Sequence, residues 1–307
     1  MFLEINQVDI GYQEPLISNI QVHLEVGNLC LIIGNNGVGK TTLIKTILKQ
    51  TSLLKGEIKI NSKNISEYST TQIAEQIAVV FSKANLPANY TVTDLISLGK
   101  FQQYPFYFEL KDEDKKEVSD IIQKLNLEIY KNLPLQKLSD GNLQKAFIGR
   151  ALAQNSPFII LDEPTAHLDE ENKIIILQLL RSLAKKHQKL VLFTSHDWRL
   201  AKEFADRIWY IENQTLYEGI AEDILINHPP LSQPHLFNFH KNFVPPVILA
   251  SSFEKELLYS SLQKNFDLDL SKWKIEKKNK FWNIQNGSYQ EITHNFENII
   301  KIISNHH

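Results

Sequence analysis

GNNGVGKTT, at residues 34–42, is a pattern suited to holding phosphate. Gly34, Gly37 and Gly39 let the backbone curl, so that amides across Asn35, Asn36 and Val38 turn toward the β- and γ-phosphates of a nucleotide. Lys40 adds a compact positive charge, and the Thr41 hydroxyl suits Mg2+. FIILDEP, at residues 158–164, supplies the complementary chemistry. Four apolar residues deliver Asp162, suited to hold Mg2+ through water, and then Glu163, which can polarise an attacking water. Two adjacent acids at a buried strand end repel, so a cation beside them is expected. His196, in TSHD, is placed to donate to a γ-phosphate oxygen. A second anion-seeking helix start, LSDGN, presents Ser139 and Gly141 about a hundred residues after the first.

Each of these groups has a plainer alternative: a Gly-rich turn, an acidic strand end, a structural histidine. The elements around them decide. NLCLIIG is a continuous apolar run ending in Gly, as a central parallel strand requires. TTLIKTILK then repeats Leu43, Ile44, Ile47 and Leu48 at helical spacing. PFIILDEP and KLVLFTSHD read as buried strands, which sets Asp162, Glu163 and His196 at the carboxyl ends of parallel strands. FLEINQVDI and NIQVHLEV alternate with period two, as antiparallel strands do.

Strand signals stop between about Thr91 and Leu138, where VTDLISLGKF and EDKKEVSDIIQKLNL read as helices. HPPLSQPH and NFVPPV are proline-rich and read as a linker over residues 226–250. A small α+β module over 251–307 follows: a Ser251-x-x-Glu254 capping box opens a helix, Asn286-Gly287 marks a hairpin, and NFENIIKII closes as an amphipathic helix. Six of the ten histidines fall after residue 227, but their spacing matches no metal-ligand pattern and surface placement is expected.

Lys plus Arg (33) nearly balance Asp plus Glu (35), so no net field draws the chain to nucleic acid, and none is expected as a partner. The single cysteine, Cys30, lies in an apolar run and is expected in the core of a protein kept in a reducing compartment. The N-terminal stretch alternates like a strand, so a signal peptide is not expected, and no run reaches the roughly 18 apolar residues of a membrane span.

Taken in order, GNNGVGKTT, LSDGN, FIILDEPTAHLD and TSHD resemble the ATP-binding subunit of ABC transporters over about residues 2–225. The resemblance implies an α/β P-loop NTPase of ABC type, with an antiparallel β subdomain and a helical subdomain at about 85–150. It implies ATP and Mg2+ as ligands and ATP hydrolysis coupled to transmembrane transport. In that family the serine-bearing helix of one subunit closes on ATP held by the phosphate loop of another. A head-to-tail homodimer enclosing two ATPs is therefore implied, and it accounts for two anion-seeking helix starts in one chain. By the same resemblance Tyr12 stacks on adenine and Thr42 touches the α-phosphate. Ser139 and Gly141 contact the partner's γ-phosphate, and Asp169 bridges the two composite sites.

The chain departs from the family at Asp140, where Gly is usual, and at Asn142, where Gln is usual. Asp140 is expected to face solvent or Lys145. Ser82 stands in the slot of the Gln that reaches Mg2+ and water, and a bridging water would have to span the gap. TVTDLISLGKFQQYPF and PTAHLD resemble the ATPases of importers for iron–siderophore complexes, haem and cobalamin. That likeness implies a separately encoded permease, a substrate-binding protein and residence at the cytoplasmic face of the cell membrane. Another transporter type and a soluble, non-transport ATPase with the same engine remain the alternatives.

Overall fold

The computed structural model describes residues 1–81, 89–104, 109–196, 198–228 and 242–306. The chain divides into two units, Met1–Ile224 and Leu225–His307. In the first, β1 (Leu3–Gly11) and β2 (Pro15–Leu24) pair antiparallel, β3 (Leu29–Gly34) runs into the phosphate loop, and α1 (Lys40–Ile47) follows it. β4 (Lys55–Ile60) and β5 (Lys63–Asn64) complete a four-stranded antiparallel sheet in the order β2-β1-β4-β5. Its apolar face packs Leu3, Ile5, Ile10 and Ile58 into one core with Ile32, Leu43 and Ile47 of the phosphate-loop strand and helix.

α2 (Thr70–Gln76), opened by a reciprocal Ser69–Gln72 capping box, leads into β6 (Ile77–Val80). Three helices then form a subdomain: α3 (Val92–Ser97), α4 (Asp112–Lys124) and α5 (Asp140–Ala153). They bury their own cluster, including Ile96, Val118, Ile122, Leu125 and Ala146. A separate core explains why the strand periodicity vanishes there: helix must pack on helix before the chain returns to the sheet.

After α5 come β7 (Phe158–Leu161), α6 (Glu170–Lys185), β8 (Leu190–Thr194), the single turn α7 (Trp198–Ala201), β9 (Arg207–Glu212), β10 (Thr215–Ile220) and α8 (Ala221–Asn227). The second sheet has the order β10-β9-β3-β8-β7-β6, parallel throughout except for β10. Every residue of β7 and β8 is buried, as a parallel strand covered on both faces requires. Because β3, β7 and β8 point the same way, their polar exits share one edge. β8 lies between the other two, so its exit sits between the phosphate loop and the acids.

In the second unit, β11 (Val247–Leu249) pairs parallel with β12 (Trp273–Lys278). β13 (Phe281–Asn286) and β14 (Tyr289–Thr293) extend the sheet antiparallel, with α9 (Ser252–Asn265) and α10 (Phe296–Asn305) completing the unit. Leu258, Leu262, Trp273, Ile275, Trp282, Ile284, Ile299 and Ile303 form its core. Ser251 caps α9, accepting from the Glu254 amide at 3.4 Å, but the expected box is altered, since Glu254 Oε2 accepts from the Ser251 hydroxyl at 2.7 Å rather than from its amide. Two further sequence expectations shift. Residues 242–250, read as linker, belong to this unit: Phe243 is buried and Val247–Leu249 is an edge strand beginning just after Pro245 and Pro246, where a missing amide costs nothing. Residues 229–241 of that linker lie outside the described residues. The hairpin turn also moves by one residue. Asn286 pairs with Tyr289, leaving Gly287 (φ 61) and Ser288 as the loop, with Gly at the first central position where positive φ is needed.

Candidate active site

β3 ends at Gly34, and the loop closes at Gly39, whose φ of 112 ends a left-handed turn and caps α1 without any side-chain hydrogen bond. The first amides of α1 thus have no side-chain acceptor, the condition under which a helix start receives an anion. Gly37 (φ 78) faces open space, while a Cβ at Gly34 would meet the Ile211 carbonyl oxygen at 2.7 Å. Asn35, Asn36 and Gly37 are exposed and Val38 is half-buried, so the loop wraps an accessible cradle. Lys40 is 7% exposed and donates to the carbonyls of Gly34 (2.7 Å) and Asn35 (2.9 Å). Burial pushes its pKa down, opposed by the negative charges of Glu163 and Asp162. The strand order sets the ends of β3 and β7 on the same sheet edge, one strand apart, in keeping with that influence. Thr41 is exposed beside it and Thr42 is buried.

Asp162 extends the β7 ladder, its amide donating to Val80 O at 2.8 Å, and its carboxylate is nearly buried. Thr194 Oγ1, at the end of β8, donates to Asp162 Oδ1 at 2.8 Å and accepts from the Glu163 amide at 2.8 Å. Glu163 has φ 55, left-handed backbone that a residue with a Cβ adopts at a cost. Its Oε1 lies 2.5 Å from His196 Nε2. Glu163, Thr165, His167, Ser195 and His196 help to line a cavity of about 340 Å3 beside this pair. Lys40, Asp162, Glu163 and His196 are therefore gathered at one sheet edge. Thr194 joins them, and the sequence reading missed it. The available signal was a hydroxyl closing the otherwise apolar run LVLF.

The remaining expected residues sit elsewhere on the same unit. Ser139 is exposed and caps α5, accepting from the Asn142 amide at 3.4 Å. Asp140 faces solvent in the first turn of that helix, where a carboxylate is favoured by the helix dipole. Gly141 is buried, and a Cβ there would stand 2.5 Å from Asn172 Oδ1 of α6, so the glycine also serves a close approach inside its own chain. Asp169 is exposed and caps α6, accepting from the Asn172 amide at 2.8 Å. Tyr12 is 67% exposed, next to the end of β1. Ser82, expected near Mg2+, lies outside the described residues; Phe81 is the last described residue before it.

The donor chemistry fits a metal–triphosphate pair. A buried ammonium held, among the described residues, by neutral carbonyls can serve an anion, and the exposed Thr41 hydroxyl with the Asp162 carboxylate suits a hard cation that keeps much of its water. Among the described residues no group of three or more His, Cys, Asp or Glu could hold a metal, and no helix is long and apolar enough to cross a membrane.

A glycine-curled loop between a parallel strand and a helix, set opposite an acidic strand end, defines a P-loop nucleoside triphosphatase. The family described as ABC transporter matches residues 17–166. The achromobactin transport ATP-binding protein CbrD of Dickeya dadantii is 31% identical over 221 residues, 71% of this chain and 82% of that protein. The iron(3+)-hydroxamate import ATP-binding protein FhuC of Bacillus subtilis is 31% identical over 225 residues, 73% of this chain and 84% of its own. Among solved structures, a metal-chelate type ABC transporter in an inward-facing conformation aligns with a TM-score of 0.65 and 27% identity, covering 73% of this chain and 85% of that one. A dimeric ATP-binding cassette in a post-hydrolysis state with ADP and phosphate aligns with a TM-score of 0.62 and 25% identity, over 71% and 98% of the two chains. The chain belongs to the ATP-binding subunits of ABC transporters, ATPases built on this cassette.

Proposed function

We propose that this chain is the ATP-hydrolysing subunit of an ABC importer for an iron–siderophore complex or a related metal chelate, haem or cobalamin. It works as a head-to-tail homodimer closed over two ATPs. It sits at the cytoplasmic face of the cell membrane through a separately encoded permease, supplied by a substrate-binding protein. The observation that carries the reading is the single sheet edge at which the strands leading to Lys40, to the Asp162–Glu163 pair and to His196 all end, with His196 on Glu163. The names of the relatives, achromobactin transport and iron-hydroxamate import, support the cargo class.

The geometry supports the following roles. Backbone amides of the loop and Lys40 bind the triphosphate. Thr41 and Asp162 would hold Mg2+, which supplies charge neutralisation on the phosphates. Glu163 takes a proton from water as it attacks, and His196, touching Glu163, orients it and donates toward the γ-phosphate. Tyr12 is available to stack on adenine. Ser139, at an exposed helix start, is available to a nucleotide held by a second copy.

We assign the permease contact to a groove of about 320 Å3 bordered by Leu48, Gln50, Ile73, Val79, Arg150 and Gln154. Its supporting argument is placement. Leu48 and Gln50 follow the end of α1, Arg150 and Gln154 lie at the end of α5, and Val79 lies on β6. A segment pressed there touches the far ends of the helices that begin at Lys40 and Asp140, and the strand that leads toward Ser82. Arg150 donates to Val79 O at 2.7 Å, which fixes the end of α5 against β6 at the wall of this groove.

The test is Glu163→Gln with Mg-ATP. Turnover should fall by about 10²–10⁴-fold, the range for losing a general base, while ATP binding persists and a nucleotide-bound dimer accumulates on sizing columns. A variant that stays monomeric with ATP, with and without the permease, would overturn the dimer reading.

A further inference from the structure

Thr194 closes β8 with its side chain wholly buried, although a hydroxyl is costly to bury unless both its donor and acceptor capacity is used. Here both are used, and the direction of the proton follows from the partners. The Glu163 amide can only donate, so it occupies a lone pair of Oγ1 at 2.8 Å. The hydroxyl proton is then directed to Asp162 Oδ1, also at 2.8 Å, an oxygen that as a carboxylate only accepts. One oxygen atom therefore ties together the two neighbouring residues to which the proposed mechanism assigns metal and water.

The backbone shows why such a tie is needed. Glu163 stands at φ 55 immediately after a regular parallel strand, a conformation that without an external partner would relax toward the β region. Only Thr194 accepts from its amide among the hydrogen bonds of the described residues. Two residues further along the same chain, His196 Nε2 meets Glu163 Oε1 at 2.5 Å. The exit of β8 thus grips Glu163 at its amide and at its carboxylate. Strand order makes this possible, because β8 is the neighbour of β7 on one side and of the phosphate-loop strand β3 on the other.

We propose that Thr194 is a positioning residue for hydrolysis: its hydroxyl locks the Glu163 backbone and the Asp162 carboxylate into one hydrogen-bonded unit, so that the water-activating and metal-holding groups keep a fixed relation. The proposal rests on the roles given above to Glu163 and Asp162. Thr194 touches no reacting atom. It acts as the outer partner of a metal ligand, a class of residue whose loss costs roughly 10–100-fold in metal affinity or activity.

Three substitutions isolate the oxygen. Thr194→Ser and Thr194→Ala both remove the methyl group and differ only in the hydroxyl, and Thr194→Val keeps the shape without the hydrogen bonds. In the full-length protein without nucleotide, amide exchange at Glu163, followed with glutamate-selective nitrogen labelling, should be slow in wild type and Thr194→Ser and fast in Thr194→Ala. With Mg-ATP, Thr194→Ala and Thr194→Val should lower kcat by roughly 10–100-fold and raise the Mg2+ needed for half-maximal rate, with KM for ATP little changed; Thr194→Ser should restore both. Matched melting temperatures for Ser and Ala variants exclude a loss of fold as the cause. Should Val fail to fold, the Ser–Ala pair still decides. Unchanged exchange at Glu163 and unchanged Mg2+ dependence in Thr194→Ala would overturn the assignment. Brisk turnover by Glu163→Gln in the same assay would instead remove the base role on which it builds, so the two failures are separable.

Discussion

The two anion-seeking ends of the first unit are finished to different degrees. At the sheet edge, Asp162, Glu163 and Thr194 are buried or half-buried and joined by short hydrogen bonds, Glu163 touches the exposed imidazole of His196, and Lys40 is buried on the carbonyls of Gly34 and Asn35. At the other end, Ser139 is exposed, and among the described residues its hydroxyl has only the long 3.4 Å bond from its own helix. Tyr12 and Asp169 are exposed as well. One end is preorganised within the chain and the other is an open surface. The contrast fits the proposed division of labour, in which a single copy binds and two copies react.

The contrast is broken most directly at Lys40. Lys40→Ala should abolish high-affinity triphosphate binding and turnover together, a loss of about 10²-fold or more in each, measured by titration calorimetry and phosphate release. A variant binding ATP as wild type does would show that the cradle is not the anion site. Mixing sharpens the comparison next. A Ser139→Ala chain combined with a Lys40→Ala chain leaves one intact composite pocket per heterodimer, so activity should reappear in the mixture from two inactive preparations. No recovery at any ratio would mean that both ends serve the same nucleotide in one chain.

A smaller effect is expected from pH. Burial disfavours the charged form of Lys40, so its pKa in the folded chain lies below the ordinary lysine value. In the nucleotide-free protein the penalty for burying that charge is present below the lowered pKa. It is relieved as pH rises through it toward the unfolded value. Triphosphate affinity should move the opposite way, weakening at alkaline pH earlier than an unperturbed lysine would predict, while Lys40→Arg keeps its charge across the range. The smallest effect belongs to the second unit, which buries its own core. Deleting residues 229–307 should leave ATP affinity unchanged within the error of a titration. A lost affinity would mean that the first unit is not a complete nucleotide binder.

How much of this was legible beforehand varied with the kind of information involved. GNNGVGKTT and FIILDEP each carry their chemistry on contiguous residues, and their flanking periodicities declare strand and helix, so loop, acids and histidine could be read directly. Edge strand β11 could not, because three residues after two prolines give no period to read. The hairpin turn was placed one residue early because Asn-Gly fits more than one register, and only the pairing of Asn286 with Tyr289 selects. The family resemblance assigns Gly141 to a partner's phosphate. Its close approach to Asn172 joins positions far apart in the chain.

Thr194 marks the boundary most clearly. By itself the chain determined which groups could do chemistry and which segments would be strands, since both follow from residue type and local spacing. Only the tertiary structure decided that β8 should lie between β3 and β7, which places one buried hydroxyl against a carboxylate and an amide from another strand. Strand order is settled by the packing of helices and loops across the whole sheet. A hydrogen bond spanning about thirty residues is therefore written in no single stretch of sequence.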